Sequence, residues 1–130
     1  MTKQELEQYR SIVAEIDEVR ERLKDNVVSD TVVGSDVQYP YTSHVMRVEG
    51  IADKAAAERD KKLLRRLEEQ KHCIEEFISG IPDSLTRRIF RLRYISGSRQ
   101  PSWVKISMTI GGGNTKGSVQ KRHERFLKDL

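Results

Sequence analysis

Cysteine is nearly missing from this chain: Cys73 is the only one in 130 residues. It cannot close an internal disulfide, and nothing else in the sequence calls for an oxidising compartment. Aromatic residues are scarce at 6%, and three prolines with eight glycines are too few for a low-complexity linker. No apolar run approaches the roughly 20 residues that cross a bilayer, which excludes a membrane-spanning helix. The opening stretch, residues 1–7, is polar and helix-forming, unlike the apolar centre of a signal peptide. Catalytic groupings are missing as well. His44, His72 and His123 share no ligand spacing with Cys73 or with carboxylates, and Glu75 and Glu76 sit on an ordinary charged helix face. The expectation is a cytoplasmic protein that is not an enzyme and uses no metal or cofactor.

Charge is plentiful. Charged residues make up 34% of the chain and hydrophobic residues only 36%, against about 25% and about 45–50% in ordinary domains. That mix favours long solvated helices over two buried layers. The net charge of +4 also hides a division. Residues 1–80 hold 13 Lys and Arg against 17 Asp and Glu, a balance of −4, whereas residues 81–130 hold 11 against 3, a balance of +8. A basic segment attached to a mildly acidic body outlines a nucleic-acid reader with an arm.

The hydrophobic pattern divides the chain into arm and reader. From Lys3 to about Lys24, the residues Leu6, Tyr9, Ile12, Val13, Ile16, Val19 and Leu23 recur every three or four positions, on one narrow stripe of a helix. Asp53 is placed to cap a second long helix, which runs to about Ser79 and is stopped by Gly80 and Pro82. Its stripe includes Ala56, Leu63, Leu64, Leu67, Ile74, Phe77 and Ile78, and Cys73 reads as a small packing residue beside it. Two such helices most simply form an antiparallel, coiled-coil-like hairpin, although either seam could pair with a second copy. Between them, residues 26–52 are rich in β-branched residues and turn formers and read as an irregular connection or weak β-hairpin, packed by Tyr39 and Tyr41. The expected fold is therefore all-α, with an arm over residues 1–80 and a separate domain over residues 81–130.

That second domain carries the denser signals. A helix opens at Asp83-Ser84, with Leu85, Ile89 and Leu92 inward and Arg87, Arg88 and Arg91 outward, and ends near Gly97. A short helix follows Pro101-Ser102 with Trp103, Ile106 and Ile110 as its core side. Gly111-Gly112-Gly113-Asn114 then breaks the chain, and a last helix runs from about Lys116 to Lys128 with Val119, Phe126, Leu127 and Leu130 inward. The glycines do not match a phosphate-binding loop, which requires G-x-x-x-x-G-K-[ST] after a strand. Helix, short helix, glycine turn and helix make a helix-turn-helix pattern, in which the last helix enters the major groove. Ser118, Lys121, Arg122 and Arg125 then fall opposite its apolar side, with Gln120 at the edge. Arg and Lys can donate in pairs to guanine O6 and N7, and Gln can bridge adenine N6 and N7. Lys116 at the helix start, together with Arg99 and Lys105, suits phosphate contact.

Three stretches carry a family resemblance: Ile89 to Gly97, Ser102 to Ile106, and Ser118 to Arg122. They resemble the C-terminal helix-turn-helix of sigma factors, region 4, and more closely the phage-encoded proteins built on that module, the ArpU/RinA-type late transcription regulators. Val28 to Ser35, Tyr39 to Tyr41 and Val48 to Ile51 resemble the inter-helix segment of the same phage proteins. The resemblance implies a sequence-specific regulator of phage genes in a bacterial host cell, bound to double-stranded DNA. It also implies a possible contact with bacterial RNA polymerase. Carried over, Ser118, Gln120, Lys121 and Arg122 occupy reading positions and Arg125 a backbone position. No counterpart of the promoter-melting domain is present. Two alternatives stay open: a DNA-packaging recognition subunit like a small terminase, and a helical interaction protein that binds no DNA.

Overall fold

A computed structural model describes residues 1–35, 43–51 and 53–130. The chain is mostly helical. Helix α1 (Lys3–Glu7) starts at a capping box, in which the Thr2 side chain accepts from the Glu5 amide and the Glu5 carboxylate accepts from the Thr2 amide. The single helix expected from Lys3 breaks at Gln8, whose amide turns back to the Glu5 and Leu6 carbonyls, and α2 (Tyr9–Asp25) follows. The stripe survives the break because Leu6 and Tyr9 stay on one side; both are buried, as are Ile12, Ile16 and Val19.

Strands β1 (Val27–Ser35) and β2 (Ser43–Ile51) pair antiparallel from Val27↔Ile51 to Ser35↔Ser43. The expected packing by Tyr39 and Tyr41 lies outside the described residues. Helix α3 (Lys54–Ser79) follows, its Asp53 carboxylate accepting from the Ala56 amide at 3.0 Å. Ala57, Leu67, Ile74 and Ile78 are its buried positions. Cys73, expected to pack, is exposed instead: it lies one residue off the row that Ile74 and Ile78 bury.

The packing forms two units, and their boundaries fall within helices rather than at residue 80: Ile16–Arg66 is one, and Met1–Glu15 with Leu67–Leu130 is the other. In the first unit, the two strands are flanked by a tie between the end of α2 and the start of α3. Asn26 donates to the Asp53 carbonyl at 2.7 Å and accepts from the Asp53 amide at 2.9 Å, while Arg22 pairs with Asp60 at 3.2 Å.

The second unit holds three more helices: α4 (Ser84–Phe90), α5 (Trp103–Ile110) and α6 (Lys116–Lys128). Each begins with the side chain of Asp83, Ser102 or Thr115 accepting a backbone amide three residues on. Helix α4 continues into a wider π-type turn, Arg91–Ile95, closed by the Ser96 amide on the Arg91 carbonyl at 2.8 Å. Ile89, Ile106 and Val119, one from each of α4, α5 and α6, form a shared buried core edged by Leu85, Leu92, Trp103 and Ile110. Leu130, expected inward, is 57% exposed and lies beyond the end of α6 at Lys128.

Candidate nucleic-acid interface

The candidate interface is built on α6, and the turn before it sets its direction. Gly111, Gly112 and Gly113 all adopt positive φ, at 65°, 63° and 78°. With ψ of −148°, Gly111 occupies a region that residues with a Cβ essentially avoid. Asn114 closes the turn from both its groups, its amide and its side chain donating to the Gly111 carbonyl at 3.1 and 2.8 Å. Thr115 then caps α6 in a reciprocal pair with Ser118: each side-chain oxygen accepts the other's amide, at 3.2 and 2.9 Å.

Behind α6 lies an aromatic cluster. His123, one turn beyond Val119, is only 1% exposed. Its Nε2 lies 2.6 Å from the Tyr94 hydroxyl, and the rings of Phe90, Tyr94 and Trp103 surround it at 4.7–5.6 Å. Nδ1 has no hydrogen-bond partner. Burial, reinforced by the positive charges of Lys3 and Arg93, pushes the imidazole pKa down to about 4, so the ring is neutral near pH 7. Trp103 is half-buried against the core, with the Arg93 guanidinium 4.2 Å above its ring, so it is not free to stack on a base.

Away from that cluster, Ser118, Lys121, Arg122 and Arg125 are exposed and Gln120 is half-buried, while Lys116 is exposed at the helix start, in the same row as Val119 and His123. The helical period thus turns Lys121, Arg122 and Arg125 outward, yet the states of the cations differ. Among the described residues, Lys116, Lys121 and Arg125 have no ion-pair partner. Ser118 is occupied by the cap, its hydroxyl also donating to the Thr115 carbonyl at 3.0 Å. Gln120 donates to Glu124 at 3.5 Å, at the outer limit of a hydrogen bond. Arg122 donates to Asp83 Oδ2 at 2.8 Å. The hydroxyl and amide of Thr86, with the Arg122 guanidinium, hold the Asp83 carboxyl below its ordinary range.

Arg99 and Lys105 are not on that face. They line an open groove with Leu92, Ser96 and Thr109, next to a smaller one lined by Arg88 and Arg91; no carboxylate lines either. Arg87, expected to point outward, is half-buried and donates to the Ile81 carbonyl at 2.9 Å, closing the turn before α4.

One organising residue escaped sequence reasoning entirely. Arg10 fans its guanidinium over four carbonyls at the end of the π-type turn: Leu92 at 3.4 Å, Arg93 at 2.8 Å, Ser96 at 2.8 Å and Gly97 at 3.3 Å. These are the orphan acceptors of a helix end, and an arginine fork suits them. Nothing local marks this role, since the partners lie more than 80 positions away.

Fold and site together define a mostly helical protein whose last three short helices share one core and carry a cationic outer face. Its sequence places it in a family: the chain belongs to the family described as Protein of unknown function (DUF722), whose model matches residues 5–130. No curated protein and no solved structure matches it. Among the described residues, no helix is long and apolar enough to cross a membrane, and no group of three or more His, Cys, Asp or Glu could hold a metal ion.

Proposed function

We propose that this protein is a sequence-specific DNA-binding transcription regulator of the phage type, in which α5, the glycine turn and α6 act as a helix-turn-helix and α6 reads the major groove. The reading is carried by one observation: Lys121 and Arg125 stand exposed on the side of α6 opposite buried Val119 and His123, with Lys116 exposed at the start of the helix. An α-helix fits the major groove of B-DNA, and Lys or Arg projecting from it can donate to guanine edges. The balance of +8 over residues 81–130 supplies attraction to the phosphates. Arg99 and Lys105, beside hydroxyl-bearing Ser96 and Thr109, are the backbone contacts that orient the unit. Contact with RNA polymerase and pairing of two copies through the N-terminal helices belong to the same proposal.

The reading is tested by selecting bound duplexes from a random pool and measuring affinity for the winner by fluorescence anisotropy. Lys121→Ala combined with Arg125→Ala is expected to weaken binding roughly ten- to hundred-fold, as loss of one base contact and one phosphate contact would. Unchanged affinity in that double variant would overturn the assignment of α6.

A further inference from the structure

Arg122 differs from its neighbours on α6. Its guanidinium is tied to a carboxylate on another helix, whereas Lys121 and Arg125 beside it have no such partner among the described residues. The carboxylate is Asp83, and a single oxygen, Oδ2, takes three donors: the Thr86 amide at 3.0 Å, the Thr86 hydroxyl at 2.6 Å and Arg122 Nη1 at 2.8 Å. The first two complete the cap of α4, so the cap does not need the arginine. The two side chains are 47% and 53% exposed, and the pair lines an open groove shared with Lys121, Arg125 and Ser118. An ion pair that exposed is weakly held and reachable by another anion.

We infer that Asp83 is a positioning residue that withholds Arg122 from nucleic acid, standing where a phosphate would otherwise pair with it and so holding down sequence-independent affinity. The inference rests on the reading of α6 as the DNA-contacting helix. Arg122 must give up its carboxylate to take a phosphate, so it contributes less to holding the duplex than the unpaired cations beside it. Removing the Asp83 charge adds one cation to the set that releases counterions on binding.

The test is a double-mutant cycle on the full chain, using a fluorescein-labelled random-sequence duplex titrated between about 50 and 200 mM salt. Asp83→Asn keeps an N-cap acceptor and is expected to tighten binding roughly five-fold at the lowest salt, while steepening log K against log salt by about 0.9. In the Arg122→Ala background, the same Asp83 substitution is expected to change neither quantity. An equal gain in both backgrounds would show a general loss of negative charge and overturn the inference, as would no gain in either. Asp83→Ser, with a different capping side chain, must give the same cycle; if neither variant folds, Asp83 serves the cap and the inference fails. Lys121→Ala, run in parallel, separates the two levels. Weakened binding there with a null cycle removes only the role of Asp83, whereas no binding by any variant removes the reading of α6 as well.

Discussion

His123 concentrates the tension of a small core in one side chain. Whichever ring nitrogen carries the proton, Nε2 can share a hydrogen bond with Tyr94, but Nδ1 is buried without a partner. Protonation would add a charge in the same place, which is why the pKa falls to about 4. An unfolded chain titrates this histidine near 6.5, so between about 6.5 and 4 the unfolded state takes up a proton that the folded state refuses. Stability is therefore expected to be fully present above pH 6.5, to fall by on the order of 3 kcal/mol as the pH drops to about 4, and to level off for this group below that. Chemical denaturation across that range checks the expectation. His123→Phe should flatten the slope while costing about 1–3 kcal/mol at neutral pH, because it leaves the Tyr94 hydroxyl unpaired. A slope that persists in His123→Phe would assign the loss to another group.

Arg10 presents the second residue-scale case. Its four carbonyl contacts are charge-assisted, and those to Leu92 and Arg93 are half-buried, so Arg10→Ala should destabilise the protein by roughly 2–3 kcal/mol. Arg10→Lys should recover only part of this, since an ammonium lacks the fork that spans several acceptors. Thermal melts of the three proteins decide it, and equal midpoints for Lys and Arg would show that charge alone suffices.

At the scale of elements, helix ends were the most legible features of the sequence, because they are local. Asp83 and Ser102 are capping residues that sit next to apolar periodicity, and α6 runs over Lys116–Lys128, the span its pattern predicts. The break at Gln8 was not legible: Leu6 and Tyr9 keep the same spacing across it as a continuous helix would. The π-type turn at Arg91–Ile95 left no sequence mark either, since its contacts are remote in sequence: Tyr94 meets His123, and Arg10 gathers the carbonyls behind it. In the candidate site, the outward direction of Lys121, Arg122 and Arg125 followed from a period of 3.6. The pairing of Arg122 with Asp83 joins positions 39 apart and could not. The glycine turn makes its own prediction. Gly111→Ala should cost about 1–3 kcal/mol from backbone strain alone, because no neighbouring atom lies within 4 Å of the added Cβ. A calorimetric midpoint unchanged in that variant would mean that the turn relaxes freely.

The whole molecule is partitioned differently from its charge. The acidic-to-basic change at residue 80 suggests a detachable C-terminal domain, but Met1–Glu15 and Leu67–Ser79 pack in the same unit as α4, α5 and α6. Leu6, Ile74 and Ile78 are buried there, and Tyr9 donates to Glu75 at 2.5 Å. A fragment of residues 81–130 is therefore expected to lack cooperative thermal unfolding, having lost both the Arg10 fork and those apolar partners. A sharp transition in that fragment, followed by circular dichroism, would show that residues 81–130 stand alone.

The discontinuous unit has a consequence for how the protein is made. Arg10 meets Ser96 across 86 positions of chain. At translation rates of about 5–20 residues per second, Arg10 leaves the ribosome roughly 4–17 s before its carbonyl partners. Over that interval the segment around Arg10 lacks these partners, and the unit cannot close until Ser96 and Gly97 have been made. Substitutions at Leu6, Tyr9 or Arg10 should therefore lower the yield of soluble protein from living cells more than their effect on the finished fold would suggest.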